Sequence, residues 1–372
     1  MKRFSLIFLG VLAMLFVAGC SKNDPQASDE NAWVHDLSLP VPIQFGSPFV
    51  ETKAKGYESV ADLNGIGLVV YGIAKDVEFS NWTTTQGALL LYNESATIEQ
   101  NAVKFSTTHY YPRISDHSYS FYGYHPQDGS PTVDENYQAV VVPITDLGTK
   151  DILWAKAEAK GEDGYNAQYM RDIRSKTVDD APPSFNFKHV TAGLKFIAVA
   201  NIDSEETTDN DFVNIKIKEV IVGNVPSKGL LSVAGKDEGK IVRLSGARAL
   251  SLDGLGDGVA PTADGTLLGE LFPYPGDGVS YDVTVKVNSP AFDDYTVTFN
   301  TGNIIPGKQY IYKLKFNKMD TVEIQVTGLD WEEGSDEFEV DTDSETPSPT
   351  PVSGDDNQTE EPGEEDSGSD TP

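Results

Sequence analysis

The stretch YIYKLKF at residues 310–316 places large side chains at every second position, namely Tyr310, Tyr312, Leu314 and Phe316. Successive side chains of a β-strand point to opposite faces of the sheet, so this spacing predicts a strand with one buried face. The same alternation recurs a few residues later, at Val322, Ile324 and Val326. The last part of the folded chain is therefore predicted to be built from strands.

Short apolar segments continue toward the N-terminus, separated by turn-forming residues, of which the chain has 33 glycines and 21 prolines. Strands spaced by roughly 8–12 residues, with Gly and Pro between them, are typical of antiparallel sandwiches and barrels. Helical periodicity is scarce, and residues 151–159 favour a helical turn or two. The stretch DDAPPS at residues 179–184 predicts a linker, because its prolines break regular structure. We expect an all-β chain with two tandem β-sandwich-like domains, at residues 39–184 and 185–340.

The charge of the chain is strongly acidic and unevenly spread. Its 372 residues include 58 acidic and 28 basic side chains, a formal net charge of −30. A nucleic-acid-binding protein needs a basic face for the phosphates, so this class is excluded. Residues 341–372 hold eleven Asp and Glu, no Lys or Arg, and Val352 as their only aliphatic side chain. Such a segment cannot offset its conformational entropy by burial, so we predict a disordered acidic tail.

The first twenty residues, MKRFSLIFLGVLAMLFVAGC, end at the single cysteine of the chain. Two basic residues precede an apolar run at residues 4–18, which is short for a membrane span and suits a secretory signal peptide. Bacterial lipoproteins carry small residues directly before the lipidated cysteine, and the corresponding residues here are Val17, Ala18 and Gly19. We predict a lipoprotein signal peptide at residues 1–19 and cleavage before Cys20.

Lipidation of Cys20 would add a covalent diacylglycerol to the thiol and an acyl group to the new amine. Each buried CH₂ contributes ~0.8 kcal/mol, so two or three chains form a stable anchor where one does not. We expect a lipidated linker at residues 20–38 and localisation at the cell outer membrane, lipid-anchored and exposed at the surface. No other cofactor is expected.

Residues that could carry chemistry are few. His109, His117 and His125 are spaced by eight, which leaves two interpretations open: a metal-binding trio of a surface hydrolase, or turn and surface histidines. The motif Gly-x-Ser-x-Gly is absent from the sequence, and a lipidated cysteine cannot serve as a nucleophile. We therefore expect no enzyme activity, no catalytic residues and no metal site.

Aromatic residues are concentrated between positions 82 and 124. Their rings could fill the core. They could instead form a platform on which sugars stack, and the alternative function of the protein would then be that of a glycan-binding outer-membrane surface lipoprotein that does not polymerise. The residues in question are Trp82, Tyr110, Tyr111, Tyr119, Phe121, Tyr122 and Tyr124.

A series of short motifs resembles the Bacteroidetes fimbrillin family, the lipoproteins of type V pili. The series covers residues 1–340. Its first motif is the lipobox, the small residues and the cysteine at positions 17–20. The later motifs are IQFG (43–46), VETKA (50–54), YYP (110–112), YSFYGYHP (119–126), FKHVTAGLKF (187–196), FP (272–273), PGKQY (306–310) and Trp331. Each motif is short, and their order and spacing carry the resemblance.

The resemblance implies two tandem transthyretin-like β-sandwiches and a structural or adhesive role in fimbriae, as a stalk, anchor or accessory subunit. It implies that a protease removes a first strand, and that a donor strand from another fimbrial subunit enters the vacated groove by β-strand addition. The fimbrium would then be a second location, and a host or bacterial surface ligand a further partner. The removable strand would present Leu39, Val41, Ile43 and Phe45, and the candidate donor strand Val322, Ile324 and Val326, with residues 337–340 as another candidate. The family members that arginine-specific proteases process have an arginine after the first strand, whereas the basic residues in reach here are Lys53 and Lys55.

Overall fold

The computed structural model describes residues 31–50, 62–113, 116–160, 164–202, 212–289, 293–317, 322–330, 337–339 and 350–351. The strands before the one α-helix of these residues are β1 (Phe49–Val50), β2 (Gly67–Ala74), β3 (Leu89–Glu99), β4 (Ala102–Phe105), β5 (Tyr119–His125), β6 (Thr132–Asp134), β7 (Ala139–Ile144) and β8 (Leu153–Ala157). The helix is α1 (Ala167–Arg174), and two short 3-10 helices are at Ala32–Val34 and Phe79–Asn81. No helix among the described residues is both long enough and apolar enough to cross a membrane.

The strands after α1 continue to the end of the described chain. They are β9 (Asn186–His189), β10 (Gly193–Ala200), β11 (Lys216–Pro226), β12 (Gly229–Gly235), β13 (Ile241–Arg243), β14 (Ala247–Ser251), β15 (Thr266–Leu271), β16 (Asp282–Ser289), β17 (Asp293–Asn300), β18 (Lys308–Phe316), β19 (Val322–Asp330), β20 (Glu337–Glu339) and β21 (Thr350–Pro351).

The strands form four sheets. Sheet 1 has the order β1-β9-β8-β5-β2-β3-β4 and sheet 2 the order β13-β12-β7-β6. Sheet 3 has the order β15-β10-β18-β19-β20 and sheet 4 the order β14-β11-β16-β17-β21. Two pairs, β1 with β9 and β10 with β18, are parallel, and the other pairs are antiparallel. The all-β fold class predicted from the sequence is confirmed.

Sheets 3 and 4 pack face to face around one apolar core. The alternating stretch at residues 310–316 is the second part of β18, between β10 and β19 in sheet 3. Its predicted apolar face is buried in that core, through Tyr310, Tyr312, Leu314 and Phe316. The strand prediction and the choice of its buried face are both confirmed.

The first sandwich, sheets 1 and 2, does not follow the predicted division at residue 185. Strand β9 pairs with β8 in sheet 1, and the hairpin of β12 and β13 pairs through β12 with β7 in sheet 2. Leu231 and Val233 of that hairpin are fully buried against Tyr71 and Tyr124 of sheet 1. Sheet 2 therefore contains two strands from the first half of the chain, β6 and β7, and two from the second half, β12 and β13.

Sheet 1 is buried on both faces. In β5, Tyr122 and Tyr124 contribute to the core shared with sheet 2, whereas Tyr119 and Phe121 contribute to a second core on the outer face. A Cβ atom at Gly123 would lie 3.1 Å from the ring of Phe185, so glycine makes room for that ring. The outer face therefore needs its own covering layer, which α1 and the N-terminal residues provide.

Residues 151–159 differ from their sequence prediction, and the acidic tail is only partly described. Residues 151–159 are not helical, because they contain β8, whose Leu153, Ala155 and Ala157 are buried on the outer-face core. Burial within the sheet outweighs the high helix propensity of alanine. Of the acidic tail only Thr350–Pro351 are described, paired with β17, and the predicted disorder of its other residues lies outside the described part.

Candidate functional site

Residues 33–47 pack against the outer face of sheet 1, and we name them the N-terminal cover. Val41 and Ile43 are 1% and 5% exposed, while Leu39 and Phe45 are half-buried against the same core. Between them, Pro40 is exposed. The four residues predicted as the apolar face of a removable first strand therefore lie together on one core.

The cover is not a regular strand, contrary to the sequence prediction. It forms one isolated bridge, Pro42 to Tyr110, in which the Ile43 N–H donates to the carbonyl of His109 at 2.8 Å. The Tyr111 N–H donates to the carbonyl of Val41 at 2.9 Å. Proline has no N–H, so Pro40 and Pro42 prevent a longer ladder. The cover is consequently held mainly by its apolar side chains.

The end of the cover is anchored by aromatic packing. The ring of Phe45 stacks on Phe185 at a centroid distance of 4.8 Å and meets Phe121 edge-on at 5.2 Å. A third ring, Phe105 of β4, lies 6.0 Å away. Close aromatic pairs contribute about 0.5–1.5 kcal/mol beyond their buried area. Phe45 thus joins the cover to β4, β5 and the linker before β9.

A cavity of about 310 Å³ opens between the cover and β4. Its lining includes Ile43 and Phe45 of the cover, Val103 and Phe105 of β4, and Arg174 of α1. Among the described strands, β4 has β3 as its single neighbour. The other edge of β4 faces this cavity, and its backbone N–H and C=O groups pair with no described strand there. An exposed strand edge next to a groove is the arrangement that β-strand addition uses.

The cover begins earlier than the sequence indicated. Trp33, placed by sequence in the polar linker at residues 20–38, is 4% exposed and belongs to the outer-face core. Arg171 of α1 is also buried, and its guanidinium donates from Nε to the carbonyl of Trp33 at 3.0 Å and from Nη2 to that of Leu39 at 2.9 Å. Sequence reasoning missed both residues, although an isolated tryptophan in a polar spacer was an available signal.

The candidate donor residues occupy regular strands of this chain. Val322, Ile324 and Val326 lie on β19, in register with Phe316, Leu314 and Tyr312 of β18, and Val322 is buried. The other candidate segment contains β20, which pairs with β19. Both segments lie at one edge of sheet 3. Cys20, the lipobox residues Val17, Ala18 and Gly19, and the processing candidates Lys53 and Lys55 lie outside the described residues.

The three histidines spaced by eight have separate partners. His109 lies 3.5 Å from Glu94, His117 Nδ1 lies 2.7 Å from Asp76, and His125 Nδ1 lies 2.8 Å from the carbonyl of Gly67. The described residues contain no group of three or more His, Cys, Asp or Glu side chains that could hold a metal ion. The metal-trio interpretation therefore has no support in this part of the chain.

Acidification should destabilise the protein partly through His125. Burial lowers the pKa of His125, although the contact with the Gly67 carbonyl opposes this shift. The unfolded chain therefore takes up this proton at a higher pH than the folded chain. The contribution of His125 is favourable above its usual value of about 6.5 and is lost as the pH falls below it.

The measurement is the urea midpoint at pH 7 and pH 5. A His125→Gln variant should lose less stability between these pH values than the wild type, and the exposed His35→Gln should behave as the wild type. An identical loss in His125→Gln and wild type would contradict this assignment.

The aromatic residues that could have formed a carbohydrate platform are mostly core residues. Of the seven, only Tyr110 is exposed, at 48%. The buried ones are Trp82, Tyr111, Tyr119, Phe121, Tyr122 and Tyr124. Trp82, Tyr122 and Tyr124 lie in the core between sheets 1 and 2. Tyr111, Tyr119 and Phe121 lie in the outer-face core, so none of the six rings offers a platform to a sugar.

Comparisons with known proteins agree with this architecture. The family model described as fimbrillin-like matches residues 52–331, which is more than half of the chain. Among curated proteins no match is found. In the solved structures, a proposed cell adhesion protein from Bacteroides ovatus is similar with a TM-score of 0.52 and 17% identity, covering 79% of this chain and 98% of that chain.

A second structure, a proposed cell adhesion protein from Bacteroides uniformis, is similar with a TM-score of 0.50 and 16% identity, again covering 79% of this chain and 98% of that chain. At such identities the structural likeness shows the fold alone. The match of the family model over residues 52–331 shows more, and on this evidence the chain belongs to the fimbrillin-like family.

Proposed function

We propose that the protein is a lipid-anchored subunit of surface fimbriae, in which the outer face of sheet 1 accepts a β-strand from another subunit. The N-terminal cover supports this proposal best. It fills an apolar groove with alternate side chains, while its bridge to residues 109–111 provides few backbone hydrogen bonds. An incoming strand without prolines could repeat the apolar contacts and add ladder bonds along the edge of β4.

Family membership supports a place in fimbriae at the cell surface, and the lipobox supports anchoring of the chain through Cys20 in the outer membrane. Head-to-tail contacts between successive subunits generate a filament when they do not close into a ring. A subunit that keeps its own cover in the groove accepts no strand and would end the filament. Both roles use the same groove. The occupant of the groove therefore distinguishes a stalk subunit from an anchor or accessory subunit.

The test places a photo-reactive phenylalanine analogue at Phe105, whose ring faces Phe45 of the cover. We expect irradiated envelopes to contain adducts between position 105 and another fimbrial subunit. The matched control carries the analogue at Tyr137, which is 38% exposed and lies in the turn between β6 and β7. It should give no such adduct.

Mass spectrometry of the same envelopes gives the N-terminus of the mature chain. A start at acylated Cys20 supports the anchored form, and a start after Lys53 or Lys55 supports a processed form. The proposal is wrong if position 105 cross-links only within its own chain and purified filaments also lack the protein.

A further inference from the structure

Arg171 connects α1 to two distant points of the N-terminal cover. It precedes the exposed Arg174 in the last turn of the helix, yet its own side chain is buried, at 8% exposure. Both hydrogen bonds of its guanidinium go to backbone carbonyls of the cover, at Trp33 and Leu39. A buried guanidinium is costly unless its donors are satisfied, so burial of Arg171 is coupled to the presence of these carbonyls.

The two carbonyls can meet one guanidinium only because the cover turns back on itself. Six residues of extended strand would separate them by roughly 20 Å. Instead, the Asp36 N–H donates to the carbonyl of Ala32, the Leu39 N–H donates to that of Asp36, and Ser38 donates to the Asp36 carboxylate through its N–H and Oγ. The bonds from Ser38 also lower the pKa of Asp36. The bound shape is thus a turn, not a strand.

From this geometry we infer that Arg171 is a retention latch that recognises the chain's own residues 33–39 and discriminates against a straight incoming strand. A straight strand presents the carbonyls of neighbouring residues and cannot bring together two that are six residues apart. Displacing the cover therefore requires breaking a contact that a donor strand does not replace. This inference rests on the proposed function, because it identifies what regulates exchange in the same groove.

The experiment measures whether the cover stays bound after the chain is cut. A recognition sequence for a site-specific protease is inserted after Lys55 in the otherwise full-length mature chain. After cleavage, gel filtration and mass spectrometry follow release of the N-terminal fragment. We expect the wild-type fragment to remain associated, and the fragment of Arg171→Met to dissociate at least tenfold faster.

The matched control is Lys176→Met, which removes one positive charge from an exposed side chain two residues after the same helix. It should release the fragment within twofold of the wild-type rate. If Arg171→Met does not fold, Asp36→Ala disrupts the exposed turn instead and should also accelerate release. Equal release rates for the wild type and whichever variant folds would overturn the latch.

Failure of the latch is distinguishable from failure of strand exchange. A peptide of residues 321–327 is added to the cleaved protein after its fragment has been removed. Lack of binding would count against strand exchange while leaving the release rates, and hence the latch, unaffected. Binding of this peptide with equal affinity to the wild type and Arg171→Met is the expected result, since a straight strand does not use Arg171.

Discussion

Replacement of Cys20 by alanine should abolish attachment of lipid to this protein. The cysteine thiol is the acceptor of diacylglycerol, and it is the only thiol in the chain. In bacterial lipoproteins the leader is removed only after the thiol is acylated, so residues 1–19 should also remain attached. Cells expressing the variant should show complete loss of labelled palmitate from the protein and a chain longer by the leader.

The matched control for this experiment is Ser21→Ala, which changes the next residue and leaves the thiol in place. It should incorporate palmitate and lose its leader as the wild type does. Labelled palmitate retained by Cys20→Ala would mean that lipid is attached elsewhere, and the predicted anchor at Cys20 would be wrong.

An aspartate at position 43 should detach the N-terminal cover from sheet 1. Ile43 is 5% exposed in the outer-face core, and an unpaired carboxylate there costs several kcal/mol. The cover makes few backbone bonds, so it should leave the groove and expose the charge to water while the two sandwiches stay folded. We expect the cover to lose about 3 kcal/mol of docking free energy, which corresponds to roughly 100-fold.

Hydrogen exchange at two amides measures this loss directly, because the N–H groups of Ile43 and Tyr111 form the bridge between the cover and the sandwich. In Ile43→Asp the amides of residues 43 and 111 should exchange about 100-fold faster, while that of Tyr312 in sheet 3 should be unchanged. The control Gln44→Asp adds the same charge at a half-buried position beside Arg174 and should cost less than about 0.5 kcal/mol. Unchanged exchange at residues 43 and 111 would show that the cover is not a separate unit.

Much of the strand content could be predicted from the sequence because side-chain alternation is a local property. The spacing of Tyr310, Tyr312 and Leu314 fixes both the strand and its buried face, whatever the strand pairs with. Alternation also marked Val41 and Ile43 as core residues. It did not reveal that Pro40 and Pro42 reduce the segment to one bridge, since this depends on which N–H groups face a neighbour.

The partners of the strands could not be predicted in the same way. Nothing local to β12 and β13 indicates that they complete sheet 2 of the first sandwich, where Gly229 of β12 lies opposite Ile144 of β7, 85 residues earlier in the chain. Arg171 likewise resembles any cation in the last turn of a helix. Its role follows only from its hydrogen bonds to Leu39 and Trp33, which lie 132 and 138 positions earlier in the chain.

The sequence alone determined an all-β chain and the alternate apolar positions of its N-terminal segment, because these depend on the geometry of a few consecutive residues. Its order of short motifs indicated the family. The tertiary structure decided which strands share a sheet, where the first sandwich ends, and that a buried arginine holds a turn of the cover. These features arise from burial of surfaces that are distant in the chain, and burial is a property of the assembled fold rather than of any segment.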